Sequence, residues 1–129
     1  MPARKKQIFV LDDDKSVCRA LSILLFTYGY IVDTFNSANE FFWAVPNSVP
    51  GCLILDVHMS GLDGWETLQH LFKSGSNRPV IIISADKNVG LNEKALKAGA
   101  VGFLQKPFND QELIDLINKA NEETADCNN

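Results

Sequence analysis

The sequence predicts one doubly wound α/β domain, in which a parallel β-sheet carries helices on both faces. Short apolar runs of strand length alternate along the chain with segments whose apolar residues recur at helical spacing. Strands joined by helices run parallel, and right-handed crossovers place those helices on both faces of the sheet. With 129 residues, 46% of them hydrophobic, the chain is long enough to enclose one core.

In the first half of the chain, three strands alternate with two helices. The first strand runs into three consecutive aspartates, and the helix after it is placed to end at Gly29, because glycine commonly terminates helices. Ser37 and Glu40 have the spacing of a capping box, which predicts the start of the second helix. The strands are predicted at residues 8–11, 30–35 and 52–56, and the helices at 15–28 and 38–45.

The second half of the chain repeats this alternation. The most strand-like run is β-branched and ends at Ser84, and the helix that follows it is placed to end at Gly99. That helix has few large apolar residues, so we expect it to be the least firmly anchored. Asn109 and Glu112 cap the last helix. The strands are predicted at residues 79–84 and 101–104, and the helices at 64–74, 91–98 and 110–122.

Five strands in this arrangement predict the flavodoxin-like order 2-1-3-4-5, in which strands 1 and 3 are neighbours. Ligands of such sheets bind at the carboxyl ends of the strands where the winding reverses, which here means strands 1 and 3. We expect a single domain over residues 1–129, with its core at about 6–122 and a flexible polar tail at 123–129.

Composition narrows the function classes. The net charge of −4 argues against a domain that itself grips nucleic acid, since such domains are usually strongly basic. The three cysteines have no metal-ligand spacing, and two of them, Cys18 and Cys52, lie in apolar runs where we expect small core residues. The sequence shows neither a signal peptide nor an apolar stretch of membrane-spanning length, which predicts a cytoplasmic protein that does not bind membranes.

Polar residues follow four of the five predicted strands. Asp12 and Asp13 end strand 1, Asp56 ends strand 3, Ser84 ends strand 4 and Lys106 ends strand 5. Singly, each has an ordinary explanation as a turn former, a helix cap or a solvated lysine. Because the carboxyl ends of parallel strands share one edge of the sheet, their joint placement predicts a site instead.

The residue types at this edge are suited to phosphoryl chemistry. Three crowded carboxylates resist ionisation unless a cation lies among them, and Mg²⁺ is the common hard cation for carboxylate and phosphate oxygens. A lysine and a hydroxyl supply a positive charge and a donor for a phosphoryl group. A carboxylate is also able to act as the nucleophile, which gives an acyl phosphate.

These residues resemble the receiver domain of two-component response regulators. The resemblance spans about residues 6–122, and one departure is Ser60, where the family usually has proline. The motifs that carry the resemblance are Val10-Leu11-Asp12-Asp13-Asp14, Leu53-Ile54-Leu55-Asp56-Val57-His58-Met59, Gly61-Leu62-Asp63-Gly64-Trp65-Glu66, Ile81-Ile82-Ile83-Ser84-Ala85, Lys97-Ala98-Gly99-Ala100 and Phe103-Leu104-Gln105-Lys106-Pro107-Phe108.

The resemblance implies a role for each residue of the edge. Asp56 would accept a phosphoryl group from the phosphohistidine of a sensor histidine kinase or phosphotransfer protein. Asp12, Asp13, Asp56 and the backbone carbonyl of His58 would hold Mg²⁺. Lys106 would pair with the phosphoryl oxygens, and Ser84 would bond one of them after phosphorylation. The domain is thereby expected to be a regulatory phosphoacceptor, not an enzyme, which assists its own phosphorylation and slow autodephosphorylation.

The resemblance also implies a switch and its partners. Phe103 takes the place of the aromatic residue that turns inward when Ser84 moves, so that the face formed by strands 4 and 5 changes shape. His58 and Asp86 occupy positions that influence how long the acyl phosphate survives. The implied partners are an output domain or a separate protein, and a homodimer formed on phosphorylation. A fainter likeness is to receivers of transcriptional regulators with helix-turn-helix outputs.

Two other readings of the sequence remain open. In a haloacid-dehalogenase-type phosphatase, Asp12 would be the nucleophile and Asp14 the general acid, but Asp56 would then have no role. A flavodoxin-like binding module without phosphorylation is the second alternative. Its phosphate loop after strand 1 would be rich in glycine or hydroxyl residues, whereas this chain has three acids there, which repel a phosphate unless a metal is bound.

Overall fold

The computed structural model describes residues 7–58 and 64–128, with side chains up to residue 121. Strands and helices alternate throughout, as the sequence predicts. The strands are β1 (Gln7–Leu11), β2 (Ile31–Phe35), β3 (Cys52–Asp56), β4 (Val80–Ser84) and β5 (Gly102–Gln105). The helices are α1 (Lys15–Thr27), α2 (Ala38–Ala44), α3 (Gly64–Lys73), α4 (Leu91–Lys97) and α5 (Asp110–Asn128).

The five strands form one parallel sheet in the order β2-β1-β3-β4-β5. This confirms the predicted order and makes β1 and β3 neighbours. In the register of the sheet, Leu11 pairs with Leu55, and Ser84 pairs with Gln105. The carboxyl ends of β1, β3, β4 and β5 therefore lie at one edge, where the polar residues of the sequence follow.

Each face of the sheet carries its own apolar core. On one face, Phe9 and Leu55 pack with Phe41 of α2, Leu68 of α3 and Ala95 of α4. The opposite face is covered by α1 and α5 and includes residues Ile8, Cys18, Leu25, Cys52, Ile54, Leu113 and Ile117. The central strands β3 and β4 are buried along their whole length, which is why their sequences are apolar at consecutive positions. Cys18 and Cys52 are core residues, as predicted.

The N-termini of α2 and α5 have the capping residues that the sequence predicts. Asn109 and Glu112 form a complete capping box, since Glu112 N–H donates to Asn109 Oδ1 and Asn109 N–H donates to Glu112 Oε1. At α2 the Ser37 hydroxyl accepts from Glu40 N–H at 3.1 Å, as predicted. The Glu40 carboxylate, however, accepts from the N–H of Asn36 one residue earlier, so the box is shifted on that side.

Most boundaries agree with the predicted ones to within one residue, whereas β5 is shifted and α5 is longer than predicted. β5 begins and ends one residue later than residues 101–104. The backbone of α5 continues to Asn128, so the segment expected to form a flexible polar tail is helical there. The sequence of this segment has no apolar residues at helical spacing, so periodicity does not predict the extension. Ser60, the departure from the family pattern, lies outside the described residues.

Helix α4 is held by few side chains, in agreement with the prediction that it is the least anchored helix. Ala95 is its only buried residue, and the helix begins after Gly90 without a side-chain cap. Its neighbour on the α3 side is Trp65, whose ring centroid lies 4.3 Å from Lys94 Nζ. A cation–π contact of this kind is worth about 0.5–1 kcal/mol at exposed sites, comparable to the burial of one methyl group.

Candidate functional site

The edge formed by the carboxyl ends of β1, β3 and β5 brings two acids and a lysine into contact. Lys106 Nζ lies 3.1 Å from Asp12 Oδ2 and 3.6 Å from Asp56 Oδ2. Asp12 is fully buried and Asp56 is 5% exposed, whereas Lys106 is partly exposed. Because the cation lies between two buried carboxylates, it offsets part of the cost of ionising them away from water.

Asp13 completes a cluster of three carboxylates. One carboxylate oxygen from each of Asp12, Asp13 and Asp56 lies within 4.8 Å of the other two. Two of these residues are buried, and Asp13 is exposed, so the cluster opens to solvent on the Asp13 side. Several oxygen ligands of this kind, with room for water on one side, fit the coordination that Mg²⁺ prefers. The residues present therefore fit a magnesium ion.

The electrostatics of Asp56 agree with this fit. Its pKa is raised from 3.8 to about 6, first because burial disfavours the carboxylate and further because Asp12 is negatively charged. The hydrogen bond that His58 N–H donates to Asp56 Oδ1 and the charge of Lys106 both lower the pKa and limit the rise. A divalent cation bound to the cluster would offset the repulsion from Asp12 and favour the ionised form of Asp56.

Ser84 lies at the end of β4, beside these groups in the sheet. Its side chain is fully buried, and its Oγ accepts a hydrogen bond from Asp86 N–H at 3.0 Å. Its carbonyl accepts from the N–H of Lys106 at 2.7 Å, and the peptide bond that follows Lys106 is cis. This backbone hydrogen bond thus ties the end of β4 to Lys106.

His58 and Asp86 face each other across the mouth of the site. His58 Nε2 lies 3.5 Å from Asp86 Oδ2, and the two side chains are 54% and 28% exposed. His58 follows β3 and Asp86 follows β4, so the pair joins the loops that follow these two neighbouring strands. The His58 backbone acts here as a donor to Asp56, through its N–H.

Phe103 is placed differently from the other predicted residues. It lies within β5, where it pairs with Ile82, two residues before Ser84. Its half-buried side chain packs against the core on the face of α2, α3 and α4. The structure therefore brings Asp12, Asp13, Asp56 and Lys106 together, with Ser84 and the His58–Asp86 pair around them, and sets Phe103 below the edge on the α4 side.

Sequence reasoning missed two residues that contact the site. Asn36 Nδ2 donates to the carbonyl of Asp12 at 3.0 Å, and Cys18 Sγ donates to the same carbonyl at 3.2 Å. The predicted strand order held a signal for Asn36, because the residue after β2 lies beside the residue after β1. The sequence predicts Cys18 only as a core residue. Its position in the first turn of α1, close in sequence to Asp12, is the signal that indicates its contact with the Asp12 carbonyl.

Comparison with known proteins agrees with this geometry. Residues 8–118 match the family model described as the response regulator receiver domain. The response regulator protein TodT of Pseudomonas putida is 42% identical over 120 residues, which is 93% of this chain and 53% of TodT. The transcriptional regulatory protein FixJ of Bradyrhizobium diazoefficiens is 40% identical over 116 residues, covering 90% of this chain and 57% of FixJ. The chain thus spans about half the length of these relatives.

Solved structures of response regulators have the same fold as this chain. The response regulator StyR superposes with a TM-score of 0.87 at 36% identity, over 95% of this chain and 62% of StyR. A receiver domain of the Francisella response regulator 1452 superposes with a TM-score of 0.82 at 28% identity, over 92% of this chain and 98% of that domain. In the described part of this chain, no helix has both the length and the apolar character needed to cross a membrane.

Proposed function

This chain belongs to the response regulator receiver family, and from that premise we propose that it is a phosphorylation-activated signalling switch with Asp56 as the phosphoacceptor. The phosphoryl donor is the phosphohistidine of a sensor histidine kinase or of a phosphotransfer protein. A carboxylate oxygen of Asp56 attacks the phosphorus, the P–N bond of the phosphohistidine breaks, and the released imidazole nitrogen keeps the electron pair. The product is an aspartyl phosphate, and the chain is a regulatory domain, not an enzyme with a separate substrate.

The observation that carries this proposal is the position of Asp56 beside both Lys106 and the acidic pair Asp12 and Asp13. Lys106 Nζ is 3.6 Å from the Asp56 carboxylate, near enough to pair with phosphoryl oxygens added there. Asp12, Asp13 and Asp56 would hold Mg²⁺, together with the carbonyl of His58 that the family implies. When bound, the ion neutralises charge on the carboxylates and on the phosphoryl oxygens.

The chain's own residues then couple phosphorylation to a change of shape. The buried Ser84 hydroxyl exchanges its bond from Asp86 N–H for one to a phosphoryl oxygen, Phe103 fills the space this leaves, and the β4–β5 face is altered. The weakly anchored α4 belongs to this face. The altered face controls an output domain or a partner protein, including a second copy of the chain in a homodimer, and the relatives named as transcriptional regulators favour a transcriptional output.

Around the site, His58 and Asp86 adjust the lifetime of the aspartyl phosphate. Their side chains meet 3.5 Å apart at its mouth, where they limit the approach of water to the phosphorus. This role and the switch are supported by the position of the residues around Asp56. The domain is proposed to span the whole chain.

The phosphoacceptor is tested by incubation with Mg²⁺ and acetyl phosphate, with intact mass as the readout. Wild-type protein is expected to gain one phosphoryl group, and Asp56→Asn none. Asp33→Asn is the matched control, because Asp33 is an exposed aspartate of the edge strand β2 and its substitution should leave the gain unchanged. Phosphorylation of Asp56→Asn at the same site would reject the proposal. Labelling of Asp12 by beryllofluoride or phosphate would favour the phosphatase interpretation instead.

A further inference from the structure

The peptide that joins Asp12 to Asp13 lies just beyond the end of β1. It connects two of the three carboxylates of the cluster, so its orientation sets the direction of both side chains. The peptide before it, between Leu11 and Asp12, is tied to β2 by the bond that Asp12 N–H donates to the carbonyl of Phe35 at 3.1 Å. The carbonyl of Asp12, which belongs to the Asp12–Asp13 peptide, accepts hydrogen bonds from side chains outside the sheet.

Two side chains supply those donors. The carboxamide of Asn36 donates to the Asp12 carbonyl at 3.0 Å, and the thiol of Cys18 donates to it at 3.2 Å. An amide N–H is the stronger donor of the two, since a thiol is a weak one. Burial raises the pKa of the Cys18 thiol to about 11, so it stays protonated and keeps donating near neutral pH.

Asn36 is itself held by the start of α2. Its backbone N–H donates to Glu40 Oε1 at 3.1 Å, and Ser37, the next residue, is the N-cap of the helix. Its side chain is half-buried, and its Nδ2 also lies 3.6 Å from Cys18 Sγ. The carboxamide thus reaches Asp12 from a fixed element and has little freedom to turn away from the carbonyl.

We propose that Asn36 is a positioning residue for the metal site, which fixes the Asp12–Asp13 peptide and so the two carboxylates that would hold Mg²⁺. The proposal rests on the function proposed for the acidic cluster. The loop between β2 and α2, which contains Asn36, would then support the metal site as well as the residues at the strand ends. Asn36 acts through Asp12 and Asp13 and does not touch the phosphoryl group.

Asn36→Leu tests this assignment, because leucine has nearly the same size and branching but no donor. Isothermal titration with MgCl₂ is expected to give a dissociation constant about 3- to 10-fold higher, the size of one net hydrogen bond. The rate of phosphorylation by acetyl phosphate at saturating Mg²⁺ should stay within about twofold of wild type, since the chemical groups are intact. Asn36→Ala repeats the measurement with a smaller side chain in case leucine disturbs folding.

The matched control is Asn47→Leu. Asn47 Nδ2 donates to the carbonyl of Ser74, also at 3.0 Å, on the opposite edge of the sheet. Its loss should cost similar stability and leave Mg²⁺ affinity unchanged. An unchanged dissociation constant in both Asn36 variants, an equal rise in Asn47→Leu, or a fall in the saturated rate as large as the loss of affinity would each overturn the proposal. A wild-type protein that does not bind Mg²⁺ would instead overturn the proposed function.

Discussion

At the residue scale, Asp56 shows how burial and neighbouring charges set the pKa of a carboxyl group. Burial and the charge of Asp12 raise its pKa, whereas the hydrogen bond from His58 N–H and the charge of Lys106 lower it. The balance leaves its pKa at about 6, so the carboxylate is mostly ionised at neutral pH but remains costly to keep so. A cation bound by the acidic cluster would reduce this cost.

Stability without metal should therefore depend on Asp56. Its pKa in the folded protein, about 6, lies above the ordinary value of 3.8, so the folded state binds this proton more tightly. The free energy of unfolding should fall as pH rises through the window between these values and stay low above it. Asp56→Asn should remove this dependence and be more stable than wild type at neutral pH by about 1–3 kcal/mol.

Urea denaturation in EDTA at about pH 4.5 and about pH 7.5 measures this difference. Asp33→Asn again serves as the control, because it changes one exposed aspartate of the sheet. If Asp56→Asn were less stable than wild type at the higher pH, the raised pKa of Asp56 would be wrong. In excess Mg²⁺, wild type should become more stable to urea than Asp56→Asn. Mg²⁺ binding stabilises the folded state, and the variant lacks one of the three carboxylates that would bind the ion.

The buried thiols should be chemically inert. Burial raises the pKa of Cys18 to about 11 and that of Cys52 to about 12, so almost none of either is thiolate near pH 8. In a Cys127→Ser background, iodoacetamide should leave the native protein unmodified over hours and alkylate both thiols in urea. Mass spectrometry of tryptic peptides assigns any label, and rapid native alkylation of either cysteine would contradict its burial.

At the scale of elements, α4 is the helix with the fewest buried side chains. Its apolar anchor is the methyl group of Ala95, and the Lys94–Trp65 contact is of similar size. Helices held by so few interactions are expected to open locally more often than the rest of the fold. The switch proposed above requires this property of α4.

Removing the positive charge of Lys94 should make α4 open more often. Lys94→Met keeps the apolar stem of the side chain but loses the charge over Trp65, so amides of α4 should exchange about 2- to 5-fold faster with deuterium. Lys97→Met is the matched control, since Lys97 is an exposed lysine of the same helix. Hydrogen-exchange mass spectrometry measures both. Equal exchange in the two variants would mean that the Trp65 contact does not hold α4.

At the scale of the whole molecule, the two edges of the sheet differ in their polar residues. The edge at the carboxyl ends of the strands carries the acidic cluster. At the opposite edge, the side chain of Arg78 links two loops. This arginine is only 6% exposed, and its guanidinium donates to the carbonyls of Gly51 and Pro46 at 2.9 Å and 3.1 Å. It also lies over the rings of Phe9 and Phe41, so it ties the start of β4 to the loop between α2 and β3.

Arg78→Ala should destabilise the fold without affecting the chemistry at the other edge. The loss of the buried side chain and of its two hydrogen bonds should lower the free energy of unfolding by about 2–4 kcal/mol. Phosphorylation by acetyl phosphate at low temperature should be unchanged in the folded protein. Arg19→Ala, at an exposed position of α1, should change stability by less than about 0.5 kcal/mol. A comparable loss in both variants would remove the structural role assigned to Arg78.

The sequence by itself determined the fold class, the strand order and the main residues of the edge. Buried parallel strands must be apolar at consecutive positions, and a polar residue directly after such a strand must emerge at the carboxyl edge. Asp12, Asp56, Ser84 and Lys106 could be predicted for that reason. The capping box at Asn109 is likewise a local signal, because its hydrogen bonds join residues three positions apart.

Only the tertiary structure decided which distant side chains meet. Asn36 and Asp12 are 24 positions apart, and Arg78 lies 27 positions from Gly51. Neither pair leaves a periodic or spacing signal, because the contact depends on how two loops approach across neighbouring strands. The pKa of Asp56 is also a tertiary property, since burial and the charge of Asp12 set it. The sequence therefore supplied the groups of the site, and packing decided their orientation and charge.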